Sequence, residues 1–176
     1  VPGDGHYLAW GRNSSGQFGD GSTTGSNVAL RVQMDETVIG AAAGDSHSCD
    51  VHADGTVWCW GDNNYGQLGD GTNVPHQVPA RVTGVTGATQ VAVGEAHACA
   101  RLNDGRVACW GRNTEGEMGD LTATNRWSPV FVNLGTDTAL TVTAGFSYNC
   151  VMTAALGATC WGYNGFGQIG DGTFNN

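Results

Sequence analysis

Six cysteines hold most of the chemistry this chain could do. They stand as Cys49 and Cys59, Cys99 and Cys109, and Cys150 and Cys160, each pair ten residues apart. Thiols in pairs bind zinc or close disulfides. Zinc sites usually present short Cys-x2–4-Cys knuckles, and none occurs here. The residues between the cysteines point to a hairpin instead. His52-Ala53-Asp54-Gly55-Thr56 suits a three-residue connection with Gly55 in the left-handed conformation. That register sets Cys49 opposite Cys59 and Val51 opposite Val57. Directly opposed residues lie roughly 4.5–5.5 Å apart between Cα atoms, within reach of a disulfide. The same arithmetic pairs Cys99 with Cys109 over Asn103-Asp104-Gly105. It also pairs Cys150 with Cys160, where Ala154-Ala155-Leu156 and a displaced Gly157 require a different turn. Six cysteines allow 15 pairings in principle; the hairpin register selects these three.

Two other clusters look chemical. Asp45-Ser46-His47 contains the residue types of a hydrolytic triad. Adjacent residues on a strand point to alternating faces, so they do not converge as a triad must. His47 and His97 read as hydrogen-bonded structural residues. Asp62-Asn63-Asn64-Tyr65-Gly66 has the look of a calcium loop, yet Arg12 and Arg112 occupy the position of Asp62 in other copies. A cation site needs six to eight oxygens, and an arginine there opposes it. No cofactor, metal site or catalytic residue is expected, and the chain reads as non-enzymatic.

The elements that position these groups come from a repeat. Trp10, Trp60, Trp110 and Trp161 are spaced by 50, 50 and 51 residues. A fixed period of this length marks a stacked or radial repeat. Each unit reads as four short strands: Val38–Ala43, His47–His52, Thr56–Trp60 and Ala80–Val85, then Thr89–Val93, His97–Leu102, Arg106–Trp110 and Val130–Leu134. The runs are rich in Val, Thr, Ala and Trp and are bounded by Gly, Asp and Asn. No apolar stripe of helical period is sustained, so no helix is expected. The fold class is all-β, with propeller blades of four antiparallel strands. About three and a half repeats are present, divided as a partial blade over 1–36, full blades over 37–86 and 87–136, and a partial blade over 137–176. Val1–Gly5 enters at a hairpin turn, and Asn176 stops before a fourth strand. Val1 reads as the start of a processed or excised product. Either the chain is part of a longer protein or copies complete one another, with a strand near Ala29–Gln33 pairing with another copy.

Composition narrows function. Net charge is −9, and all seven basic residues are arginine. Without lysine there is no Walker-type phosphate loop and no Schiff-base chemistry. An acidic chain with few cations also fits nucleic acid poorly. No run of 18 apolar residues suggests a membrane span. Paired cysteines point to an oxidising compartment, hence an extracellular or cell-surface location.

The pattern His47, Cys49, Asp54-Gly55, Trp60-Gly61, Asn63, Gly66-Gln67-Leu68-Gly69 and Gly71, repeated along essentially the whole chain, resembles the regulator of chromosome condensation repeat. The paired cysteines look like secreted bacterial versions of it. The resemblance implies a seven-bladed propeller of about 50 residues per repeat; it does not imply one function, although several members are protein-binding domains. It does not carry over nuclear exchange activity or chromatin binding, from which the disulfides and acidity depart.

Positions identical in every copy serve the blade. Asn13, Asn63, Asn113 and Asn164 read as turn-shaping residues that tolerate left-handed backbone, and the four repeating tryptophans read as inter-blade packing. Positions that vary on the same loop are free for recognition, and Arg12, Tyr65, Arg112, Glu115, Tyr163 and Phe166 form the candidate set. Asn13-Ser14-Ser15 also matches a glycosylation pattern. The expected function is a secreted or surface scaffold that binds protein or copies of itself; a carbohydrate-binding lectin is the alternative.

Overall fold

The computed structural model describes residues 6–33, 38–155 and 157–176. Val1–Gly5, the 36/37 boundary and Leu156 of the third turn lie outside the described residues. Thirteen strands are present among the described residues, with no helix. They form four antiparallel sheets. The first pairs β1 (His6–Gly11) with β2 (Ser26–Gln33). The second runs in sequence order through β3 (Val38–Ala43), β4 (His47–His52), β5 (Val57–Gly61) and β6 (His76–Arg81). The third repeats it with β7 (Ala88–Val93), β8 (His97–Leu102), β9 (Val107–Gly111) and β10 (Arg126–Phe131). The last holds β11 (Ala139–Ala144), β12 (Tyr148–Thr153) and β13 (Gly157–Gly162). The sheets follow one another as propeller blades and do not close into a ring.

The hairpin register follows from its turn chemistry. Gly55 and Gly105 take φ of +79° and +83°. Cys49 faces Cys59, Cys99 faces Cys109 and Cys150 faces Cys160, and each pair is disulfide-bonded. In the third hairpin the left-handed glycine is Gly157, at +75°, one place later. The register nevertheless holds, with Thr153 opposite Gly157.

The fourth strand departs from expectation. It lies at His76–Arg81 and Arg126–Phe131, three or four residues before the runs expected at Ala80–Val85 and Val130–Leu134. Gly61 pairs with His76 and Cys59 with Ala80, so the outer strand carries extra residues in a bulge. That bulge contains Pro79, and its counterpart in the third sheet contains Pro129. Proline lacks the N–H a regular ladder needs, and outer strands with bulges accommodate it. Apolar patterning alone picked the buried tail of the strand, where the Val82 N–H still bonds the Val57 carbonyl at 2.9 Å.

Two apolar clusters fill the seams between sheets. One joins Val51, Val57 and Leu68 to Val91, Ala98 and Trp110 across the second and third blades. The other joins Val107 and Met118 to Val142 and Val151 across the third and fourth. Each disulfide closes a loop of about 11 residues inside one hairpin, an effect of about 3 kcal/mol in the chain-entropy model. Reduction is therefore expected to lower the thermal unfolding midpoint without abolishing the sheets, because the seams contain no cross-link. Circular dichroism melts with and without reductant measure this, and equal midpoints would contradict it.

Candidate functional site

Each long loop after the third strand of a blade is held by one asparagine. The Asn63 Oδ1 accepts the Leu68 N–H at 3.0 Å, while its Nδ2 donates to the Thr72 and Val74 carbonyls at 3.2 and 2.9 Å. Asn113 repeats this with Met118, Thr122 and Thr124, and Asn164 with Ile169, Thr173 and Asn175. These asparagines do not use left-handed backbone as expected. Among the described residues the one non-glycine with positive φ is Leu121. They act as buried side-chain latches. Asn13 is latched in the same way, to Phe18, Ser22 and Thr24. Its amide is buried and already bonded, so the glycosylation pattern at Asn13 offers no acceptor in the folded chain.

The latched loop presents a seat for the next blade. Trp60 Nε1 donates to the Gln17 carbonyl at 2.7 Å, Trp110 Nε1 to Gln67 at 2.9 Å and Trp161 Nε1 to Glu117 at 2.8 Å. Gly19, Gly69 and Gly119 lie under these indoles, where an added Cβ would fall 2.7–2.9 Å from the ring. Three of the four repeating tryptophans thus pack between blades. Trp10 stands 64% exposed.

The loops open beside the turn between the first two strands of their own blade. Asp62, Arg112 and Tyr163 donate their N–H groups to the carbonyls of Ser46, Ala96 and Ser147. The candidate residues behave differently from one another on this face. Arg12 is exposed and donates from Nε to Ser14 Oγ at 2.8 Å. Tyr65 is exposed, and its N–H bonds Gln67 Oε1. Phe166 is 84% exposed and meets the half-buried Tyr163 edge-on, with ring centroids 5.9 Å apart. Glu115 accepts a bond from Asn176 Nδ2 at 2.5 Å. Arg112 is half-buried and held on three sides: Glu95 at 2.5 Å, Glu117 at 3.2 Å and Ser147 Oγ of the following blade at 2.8 Å. Its guanidinium staples a seam.

Glu117 was not singled out by the sequence. Its side chain is fully buried, and burial pushes its carboxyl upward while Arg112 pulls it back. A signal was present. Gln17, Gln67 and Gln168 occupy the same place in other copies, and the one change to Glu coincides with Arg112. In the second blade the pair is Asp62 with Gln67, bonded at 2.9 Å. With Asn64 on its other oxygen, the Asp62 carboxylate is occupied by amides rather than disposed toward a cation. Among the described residues no group of His, Cys, Asp or Glu is arranged to hold a metal.

The Asp45-Ser46-His47 cluster divides as its strand alternation requires. Ser46 Oγ bonds Asp45 Oδ2 at the surface, and His47 is fully buried. His97 Nε2 meets Asn149 Oδ1 at 3.0 Å, as expected of a blade residue. His47 has no such bond, because Ala98 stands where the next blade supplies Asn149. Burial lowers His47 to about 3 and His97 to about 4. A second buried pair, Asp50 Oδ1 with His52 Nε2 at 3.1 Å, replaces the Ala100 and Leu102 of the following blade. Burial raises Asp50 to about 6, against the pull of His52. Trp58 stacks on His52, with centroids 5.9 Å apart. A cleft of about 470 Å³ lies between β1 and β3, with Tyr7, Trp10, Phe18 and Trp60 in its wall and Arg12 and Asp45 beside them.

A family model described as Regulator of chromosome condensation (RCC1) repeat matches residues 4–51 and 54–101, and a second of the same description matches 38–67 and 88–117. The chain belongs to the RCC1 repeat family. Its fold is similar to that of human WBSCR16, at a TM-score of 0.85 and 23% identity over 98% of this chain and 46% of that one. It is also similar to yeast RCC1 (Prp20) bound to Kap60, at 0.76 and 20% identity over 91% and 38%. Prp20p from Saccharomyces cerevisiae, described with its binding properties to Gsp1p and histones, aligns at 0.75 and 21% identity over 91% and 40%. This chain therefore spans less than half of each of these three chains, and the likeness is one of fold. No curated protein matches it in sequence.

Two predictions follow from the latches and the buried rings. Asn63→Ala leaves a buried N–H and two carbonyls without partners, and should cost about 2–3 kcal/mol in urea unfolding. The histidines set the acid limb. An imidazole near 6.5 when unfolded and near 3 or 4 when folded binds its proton preferentially in the unfolded chain. Stability is full above about pH 6.5 and falls as pH drops toward 4. Asp50 opposes this between about 6 and 3.8, since its folded pKa is the higher one. Thermal midpoints between pH 7 and pH 4 should fall, and His47→Leu should flatten the fall. A midpoint that rises on acidification would contradict the assignment.

Proposed function

We propose that this RCC1-repeat chain is a non-enzymatic, secreted or cell-surface scaffold that binds protein or copies of itself. The observation that carries the reading is the division inside each latched loop. Asn13, Asn63, Asn113 and Asn164 hold one backbone shape, while the positions of Tyr65 and Phe166 change chemistry from copy to copy and face solvent. A rigid frame with variable aromatic tips suits an interface, where preorganised aromatic side chains supply most of the energy. Three hairpin disulfides support an oxidising compartment. Among the described residues no helix is long and apolar enough to cross a membrane. Prp20p, with its reported binding to Gsp1p and histones, is a precedent for protein binding on this fold.

In this reading the candidate residues play separate parts. Tyr65, Tyr163, Phe166 and Arg12 form the contact set, and Glu115 tunes it. Arg112 contributes by fixing the loop of the third blade. Light scattering across concentration tests self-association, and a glycan array tests the opposing view. Tyr65→Ala with Phe166→Ala should weaken any association at least tenfold while leaving the melting curve unchanged. Saturable glycan binding competed by free sugar, with no protein association, would overturn the proposal.

A further inference from the structure

Two polar groups at the seam between the second and third blades lack a partner that their counterparts have. The Gln67 carbonyl accepts the Trp110 N–H at 2.9 Å, and among the described residues no second side chain bonds it. At the seam before it, the matching Gln17 carbonyl accepts both Trp60 Nε1 at 2.7 Å and Ser48 Oγ at 3.0 Å. At the seam after it, the Glu117 carbonyl accepts both Trp161 Nε1 and Asn149 Nδ2, each at 2.8 Å. The other orphan is His47. Its ring is fully buried, and neither nitrogen has a hydrogen bond. Its counterpart His97 bonds Asn149 Oδ1 from Nε2 at 3.0 Å. Both differences trace to one residue. Ala98 stands opposite Trp110, where Ser48 stands opposite Trp60 and Asn149 opposite Trp161. The seam has a whole four-stranded blade on either side, so both of its walls are present.

Asn149 defines the bridge. A carbonyl can only accept, so the amide turns its NH2 to Glu117 and its oxygen to His97, which donates from Nε2. One group thus accepts from the imidazole and donates to the carbonyl under the indole. We propose that a single buried water does this beside Ala98, accepting from His47 Nε2–H and donating to the Gln67 carbonyl. Water carries both roles, and it has one heavy atom where the carboxamide that alanine lacks has three. Buried waters settle where two or more enclosed polar groups would otherwise go unpaired. The His97 backbone is a third polar group at the site: it comes close enough to the His47 ring to favour its proton, without the geometry of a hydrogen bond. A cation does not fit, because the ring N–H points at it, and among the described residues no group of His, Cys, Asp or Glu is arranged to hold a metal. An anion would face the Gln67 carbonyl. The second and third blades are therefore bridged by solvent where the third and fourth are bridged by a side chain.

Oxygen-17 magnetic relaxation dispersion counts the waters that a protein holds for longer than it tumbles. Applied to the unmodified chain and to Ala98→Asn, it tests the site directly. The variant restores the bridge that Asn149 makes, so it should hold one long-lived water fewer. Proton–nitrogen NMR should find the His47 proton on Nε2 in both proteins. Equal water counts would overturn the proposal, and so would a His47 proton on Nδ1 in the unmodified chain. Should Ala98→Asn fail to fold, a crystal structure of the unmodified chain decides alone. An ordered oxygen within hydrogen-bond distance of both His47 Nε2 and the Gln67 carbonyl is the expected result. Density there for protein atoms alone would overturn it.

Discussion

The seating of a tryptophan on the loop of the preceding blade is the contact on which the array depends. It supplies three things at once: burial of a large ring, a partner for the indole N–H, and a fixed distance between sheets. A ring of this size buries roughly 150–250 Å². The contact tolerates little error. The glycine beneath each ring excludes even a methyl group, so the loop must hold its shape to a fraction of an ångström. This explains why an asparagine with three or more bonds stands at the root of each loop. The latch shapes the seat, the seat places the indole, and the indole sets the next sheet.

The disulfides work at a different level. Each ties neighbouring strands within one hairpin and none crosses a seam. They restrict the unfolded chain locally and fix the strand register, and leave blade-to-blade geometry to packing. The first sheet shows the two roles apart. It has Ala9 where the others have cysteine, yet Tyr7 stacks on Trp60 with centroids 5.9 Å apart and Trp60 docks on the Gln17 carbonyl. A sheet with no disulfide is held by the same seam device.

The polar groups at the seams vary where the apolar ones do not. Position 98 is Ala while its counterparts are Ser48 and Asn149, and the choice decides whether the histidine of the preceding blade has a side-chain partner. Position 117 is Glu, and Arg112 answers it. Asp50 with His52 stands where Ala100 with Leu102 would serve. Buried charge is costly unless paired; Glu117 meets Arg112 at 3.2 Å, and Asp50 lies 3.1 Å from the His52 ring. Each seam thus carries its own electrostatic character on a common frame. The family membership accounts for the frame, and the individual pairs belong to this chain.

The sequence by itself determined the repeat, the all-β class, the hairpin register and the cysteine pairing. Those features rest on contacts between residues a few positions apart, such as Cys49 with Cys59 across Gly55, and short-range geometry can be counted. It also marked Asn63 and Trp110 as frame residues, since every copy retains them. It misplaced the outer strand, because a bulge around Pro79 is set by the sheet it joins and leaves no apolar period. It could not tell that Arg112 is bound while Tyr65 and Phe166 are free, although all three lie at variable positions of one loop. That difference depends on Glu95 and Ser147, which reach Arg112 from another turn and another blade, together with Glu117 of its own loop. Only the tertiary structure decides it, because a side chain's freedom is fixed by its neighbours in space.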